Sequence, residues 1–144
     1  METIEERLRS SGLRVTLPRL SVLEFLSSTS SHPTAEEVGL AVNRRVPSAA
    51  RASVYNVLHS LKEAGLVEEL VFHDAVARYD ARLDPHHHFI CRRCGSVADV
   101  AWSAVPLETV KALPDGRAVE STALVMRGLC GACPAVPATV SAKR

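Results

Sequence analysis

The residues able to do chemistry crowd into two places in this 144-residue chain. The run DPHHHFICRRCG, from Asp84 to Gly95, holds three consecutive histidines and then Cys91-x-x-Cys94, and the pair Cys130-x-x-Cys133 follows near the C-terminal end. Four thiolates in two CxxC knuckles suit a tetrahedral zinc site. Each knuckle lies beside a glycine, Gly95 and Gly131, which suits tight turns whose backbone amides point at sulfur. A thioredoxin-like redox pair is the other use of CxxC, but it calls for one pair at a helix N-terminus in a βαβ setting, and this chain has two matched pairs. The zinc is expected to be structural, stapling the last segment onto a small domain.

The histidines pose a second question. On a strand, positions i and i+2 share a face, so His86 and His88 can converge on one ion while His87 points away. Asp80 lies just upstream, and Asp99 lies on the strand after the first knuckle, where it can face His88. Two imidazoles with carboxylates suit Mn²⁺, Fe²⁺ or Zn²⁺ rather than a soft copper site. Spacing alone leaves open the bland reading, a histidine-rich surface loop.

The elements that must position these residues can be traced from the N-terminus. A short helix over 2–11 stops at Gly12, and a second runs from Thr16 to about Ser27 with Leu20, Leu23 and Leu26 at helical spacing. After the loop STSSHPT, Thr34 and Glu37 fit a capping box, opening a helix that runs to about Arg45. VPSAA breaks it. The next helix covers about Ala50 to Ala64, with Val54, Val57, Leu58 and Leu61 on one face and Gly65 as its stop. LVEELVF and VARYD then flank His73-Asp74-Ala75 as a β-hairpin. Helices ending in a hairpin describe a winged helix-turn-helix. The polar face of its candidate recognition helix carries Arg51, Ser53, Tyr55, Asn56, His59 and Lys62, side chains that can pair with phosphates and base edges. Beyond Asp80, strands are expected at 86–91 and 96–102, a helix at 105–113 ended by Pro114-Asp115-Gly116, and a strand at 117–127.

The expected architecture is α+β: a winged-helix DNA-binding domain over 1–80, a hinge at 81–85, a small α/β dimerisation and metal-binding domain over 86–133, and a disordered tail at 134–144. A core of that second size is marginal alone, so a structural metal or a partner subunit is expected.

Composition bounds the rest. A hydrophobic fraction of 47% and a charged fraction of 23% are ordinary for a globular protein. No apolar run is long enough to span a bilayer, and the charged start METIEERLRSSG has no signal-peptide core, so a cytoplasmic protein is expected. In that reducing compartment the cysteines read as metal ligands or redox centres, not disulfides. The net charge of +1 is uninformative, but residues 38–62 and 7–23 contain no Asp or Glu while carrying Arg44, Arg45, Arg51, Lys62, Arg7, Arg9, Arg14 and Arg19. Such stretches are either a phosphate footprint or solvated helix faces. The hairpin that follows favours the footprint.

Taken together, HPTAEE from His32, VYN from Val54, AGLV from Ala64, RYD ending at Asp80, HHHFICRRCG from His86 and CGAC from Cys130 closely resemble the Fur superfamily of metal-dependent repressors, in order, over residues 5–133. The resemblance implies a homodimer with a winged-helix domain, a hinge and a dimerisation domain. By position it implies Cys91, Cys94, Cys130 and Cys133 as structural zinc ligands. It also implies His32, Asp80, His86, His88 and Asp99 as ligands of a regulatory Fe²⁺ or Mn²⁺. Nothing in its own surroundings marks His32, a lone histidine before a proline, as a ligand. As one, it links the DNA-binding domain to the rest, so that metal binding selects one domain arrangement fitted to a palindromic operator.

Both acidic positions are aspartate, which resembles the peroxide-sensing PerR and CatR-like branch. That branch implies that His32 and His86 gain oxygen when bound Fe²⁺ meets hydrogen peroxide, after which metal and DNA are released; it is a single-use sensor, not an enzyme. An accessory metal site looks broken, since Pro85 stands where a histidine is often found and no histidine follows His88. His87 is then expected to be an exposed strand residue and His73 a wing-tip residue. The family segment R-x-T-P-Q-R appears as RVTLPR from Arg14 to Arg19, with proline moved by one place, which bears on how Arg14 and Arg19 meet DNA. The rivals are an iron, manganese, zinc or nickel uptake regulator of the same superfamily, a small metal-dependent hydrolase, and a zinc-stapled interaction module without DNA affinity.

Overall fold

The computed structural model describes residues 1–47, 51–105 and 111–133, with the backbone alone for 51–53. The chain forms two compact units, Met1–Asp84 and Pro85 onward.

The N-terminal unit opens with four helices: α1 (Ile4–Ser10), α2 (Leu17–Ser28), α3 (Ala35–Arg45) and α4 (Arg51–Glu63). Their starts are written locally. Thr3 with Glu6, and Thr34 with Glu37, form reciprocal capping boxes, and Thr16 caps α2 through the Arg19 amide. Leu17 and Pro18 occupy the first turn of α2, where a missing N–H costs nothing because that amide has no partner inside the helix. The shifted proline therefore leaves the helix intact. Gly65, at φ 72°, ends α4 in a left-handed turn, with Leu66 N–H donating to Leu61 C=O at 2.9 Å.

Leu8, Val22, Leu23, Leu26, Val38, Val42, Leu58 and Leu61 are buried in one apolar cluster, each contributing about 1.5–3 kcal/mol. The strands β1 (Glu68–Val71) and β2 (Ala77–Asp80) pair antiparallel beyond α4 as the wing. Ala75, at φ 58°, closes their turn, and Asp74 accepts the Val76 N–H at 3.2 Å. Two backbone contacts tie β2 to the start of α3: a Thr34–Arg78 bridge, and Tyr79 N–H donating to Pro33 C=O at 2.9 Å.

The C-terminal unit is a sheet of order β4-β3-β5, with β3 (His86–Cys91) central, β4 (Val97–Ala101) antiparallel to it and β5 (Val125–Gly128) parallel. A short 3₁₀ turn, Trp102–Ala104, follows β4. Gly128 has a packing reason: a Cβ there would lie 3.3 Å from the Phe89 ring. Among the described residues, few apolar side chains of this unit are buried, chiefly Ile90, Cys91 and Val97.

Two expectations need correction here. The helix expected over 105–113 falls mostly outside the described residues, and its described end is not helical. Ala112 bridges Ala118, and Leu113 N–H donates to Arg117 C=O at 2.8 Å, so Pro114-Asp115-Gly116 closes a tight hairpin rather than ending a helix. The strand expected over 117–127 is confined to Val125–Gly128, because the segment before it spends its backbone bonds on that hairpin and on β3. The expected tail at 134–144 lies outside the described residues. No helix among the described residues is long and apolar enough to cross a membrane.

Candidate metal centres and nucleic-acid interface

The two cysteine knuckles are brought together by the register of β3 and β5. Cys91 ends β3 opposite Gly128, and the chain then turns so that Cys130 and Cys133 face Cys94 and Cys91. The Sγ–Sγ distances Cys91–Cys133 and Cys94–Cys130 are both 3.7 Å. A zinc tetrahedron with bonds of about 2.3 Å has S···S edges of about 3.8 Å, whereas a disulfide would need about 2 Å. One sulfur from each of the four cysteines falls within 4.8 Å of the others.

Electrostatics agree with a cation. The amides of Cys94 and Cys130 hold the Cys91 thiol down at about 5, and the Ser96 hydroxyl lowers Cys94. Cys133, bonded by the Cys130 and Cys91 sulfurs, is pushed up to about 12. Four thiolates crowd one another, and a divalent cation relieves that crowding. The set fits structural zinc. Ser96, whose Oγ lies 3.1 Å from Cys94 Sγ, has no signature in the sequence.

The histidine and aspartate residues expected at the second centre divide between the units. In the N-terminal unit His32 Nε2 lies 3.3 Å from Asp80 Oδ2, and both residues are buried. The contacts between β2 and Pro33-Thr34 bring them together, and His32 adopts the left-handed region at φ 52°, uncommon outside glycine. The Arg82 amide donates to Asp80 Oδ1 at 2.8 Å, which orients the carboxylate. An aspartate bonding the amide two residues on is a recognisable local motif.

In the C-terminal unit the alternation of β3 places His86 and His88 on one face, with Nε2 atoms 3.1 Å apart. Asp99 pairs with His88 in the register of β3 and β4, and its Oδ1 lies 3.4 Å from His86 Nε2 and 3.8 Å from His88 Nε2. Donors about 3 Å apart suit an ion held by bonds of about 2.1 Å at near-right angles. Imidazole and carboxylate donors fit Fe²⁺ or Mn²⁺.

His87 overturns an expectation. It is fully buried, not an exposed strand residue. Its ring stacks on Trp102 with centroids 4.6 Å apart, its Nδ1 accepts the Leu124 N–H at 3.1 Å, and its Nε2 lies 3.1 Å from Val105 C=O. Alternation tells which face a residue takes but not what covers that face. His73 stands exposed in the turn of the wing.

Of the residues expected at DNA, Arg14, Arg19 and Asn56 line one cleft of about 460 Å³ with Thr16, Pro18, Val57 and Ser60. Arg19 Nη1 donates to Arg14 C=O at 2.8 Å, bracing the guanidinium. Tyr55, Asn56, His59 and Lys62 are exposed along α4. The side chains of Arg51 and Ser53 lie outside the described residues.

Residues 10–125 match the model of the ferric uptake regulator family. The chain is 35% identical over 129 residues to the peroxide operon regulator of Bacillus subtilis, covering 89% of each. It is 39% identical over 130 residues to the transcriptional regulator FurA of Mycobacterium tuberculosis, covering 89% of this chain and 88% of the relative. Among solved structures, the ferric uptake regulator of Pseudomonas aeruginosa with manganese aligns at TM-score 0.67 and 27% identity, covering 90% of this chain and 98% of that one. The peroxide stress regulator of Campylobacter jejuni shares the fold at TM-score 0.66 and 22% identity, over 90% and 95%.

Proposed function

From the premise that the chain belongs to the ferric uptake regulator family, whose members are transcriptional regulators and not enzymes, we propose that it is a cytoplasmic, homodimeric repressor of palindromic operators that senses hydrogen peroxide by oxidation of its own histidine ligands. Two observations carry this reading: the convergence of His86, His88 and Asp99 on one face of the sheet, and, within the N-terminal unit, the buried His32–Asp80 pair. Two aspartates supply the carboxylates, and no thiol takes part. The likeness to the Bacillus subtilis peroxide operon regulator supports it.

In this reading His32 and Asp80 grip the regulatory ion for the N-terminal unit, and His86, His88 and Asp99 grip it for the C-terminal unit. A joint grip restrains residues 81–85 and selects one arrangement of the units from a hinged ensemble. In the dimer that arrangement spaces the two α4 helices to the half-sites of a palindrome. Arg14, Arg19, Arg51, Ser53, Tyr55 and Asn56 contact the DNA, and Cys91, Cys94, Cys130 and Cys133 hold structural zinc.

Ferrous iron, when held by these residues, would supply the redox chemistry that splits the peroxide O–O bond, with one oxygen passing to a ring carbon and the other leaving as water. In net terms a ring C–H of His32 or His86 gains one oxygen, and peroxide is reduced to water. The oxidised imidazole is a poor ligand, the joint grip fails and DNA is released. With Mn²⁺ in the same ligands the repressor binds DNA without reacting.

The FurA likeness supports a second reading, an iron, manganese, zinc or nickel uptake regulator without peroxide chemistry. One experiment separates the two. Zinc-replete dimer is loaded with Fe²⁺ without oxygen, treated with stoichiometric peroxide, and mapped by peptide mass spectrometry. Binding is followed on DNA selected from a random pool by the Mn²⁺-loaded protein. Added oxygen on His32 or His86, with intact cysteines and lost DNA binding, is expected. Unmodified histidines, with DNA binding that only tracks metal supply, would leave the uptake regulator.

A further inference from the structure

The face of β3 turned away from His86 and His88 carries a ring that neither metal centre uses. His87 is fully buried. Its Nδ1 accepts from the Leu124 N–H at 3.1 Å, which places the ring hydrogen on Nε2, where it is donated to Val105 C=O at 3.1 Å. One ring face lies on Trp102, with centroids 4.6 Å apart and planes 26° from parallel. With both nitrogens engaged, His87 is no ligand itself.

The partners say what the ring does. Trp102 and Val105 follow β4, the strand that bears Asp99. Leu124 precedes β5, and its carbonyl also accepts the His88 N–H at 3.0 Å. Leu124 therefore brackets the pair, its carbonyl on the backbone of His88 and its amide on the ring of His87. The ring thus spans the back of β3 and joins the continuations of both neighbouring strands. A rotation of β3 that parted His86 from His88, or a slide of β4 that withdrew Asp99, would break one of these bonds.

We propose that His87 is a positioning residue for the regulatory ion: held at both nitrogens and on one face, it fixes the pleat of β3 and the seat of β4, and so the convergence of His86, His88 and Asp99. The inference rests on the reading that those three residues hold that ion. Buried groups that hold ligands in place commonly change metal affinity 10–100-fold.

The test is Mn²⁺ titration of the zinc-replete dimer, by calorimetry and by the electron paramagnetic resonance signal of free Mn²⁺. His87→Phe keeps the ring on Trp102 and removes both hydrogen bonds. His87→Asn restores an acceptor near the Nδ1 position, facing the Leu124 N–H. His88→Ala tests the ligand reading separately. The expected result is that His87→Phe weakens Mn²⁺ binding by roughly 10-fold with zinc content unchanged, that His87→Asn recovers part of the loss, and that His88→Ala abolishes binding.

Wild-type Mn²⁺ affinity in His87→Phe, beside a dead His88→Ala, would overturn the inference and leave the ligand reading standing. Loss of zinc along with manganese in His87→Phe would also overturn it, since the ring would then hold up the whole unit. So would His87→Asn binding no more tightly than His87→Phe. Mn²⁺ binding that survives His88→Ala would sink the ligand reading, and the inference with it.

Discussion

Cys91 and Cys94 are one turn apart, yet their surroundings differ: Cys91 is buried at the end of β3, and Cys94 is exposed. Cys130 joins them from another segment, its amide donating to Cys91 Sγ at 3.4 Å and its sulfur lying 3.7 Å from Cys94. Cys130→Ser is therefore expected to empty the zinc site, as read by metal analysis, and to lower the melting temperature. A loss of only about 2 kcal/mol shifts a small unit by roughly 8–16 °C; zinc content equal to wild type would show that three thiolates suffice. Asp80→Ala should act elsewhere. It removes a carboxylate oriented by the Arg82 amide, so Mn²⁺ affinity should fall about 10-fold or more while zinc is retained. Both cysteine pairs were legible in the sequence because ligand type and spacing are local. His32 was not, because its place beside Asp80 depends on the contacts of Pro33 and Thr34 with β2 and on a left-handed backbone.

At the scale of elements, the start of α3 was legible because the capping box of Thr34 and Glu37 lies within four residues of sequence, whereas the box of Thr3 and Glu6 was not read from it. Thr34→Ala is expected to cost about 1 kcal/mol, seen as a lower urea midpoint, and an unchanged midpoint would mean that tertiary packing alone sets the start of α3. The wing carries a pH dependence. Two hydrogen bonds from Arg78 and one from the Val76 amide hold the Asp74 carboxyl at about 2. Because the folded value is depressed, the stabilisation is fully present above the unfolded value, near 4, and is lost as pH falls from there through about 2. Asp74→Asn should remove that acid sensitivity from the wing resonances in nuclear magnetic resonance spectra. The misread elements have a physical cause as well. Pro114-Asp115-Gly116 suits the stop of a helix in sequence, but it closes a hairpin across Ala112 and Ala118, a tertiary pairing that local sequence does not encode.

At the scale of the whole molecule, the two units draw stability from different sources. The N-terminal unit has a continuous apolar core, whereas the described part of the C-terminal unit buries little beyond Ile90, Cys91 and Val97. A strong chelator under reducing conditions is therefore expected to remove amide protection from β3, β4 and β5 while leaving α2 and α4 protected. Simultaneous loss in both units would show that they unfold as one. The strand at the centre of the weaker unit also governs how the chain can vary in length. Because β3 alternates, its message is one of parity. One residue inserted between His86 and His88, with the pairing of His88 kept, would turn His86 to the face of β3 that His87 takes, toward Trp102. Natural variants should therefore gain or lose residues here only in twos, as if the strand were read in a frame of two.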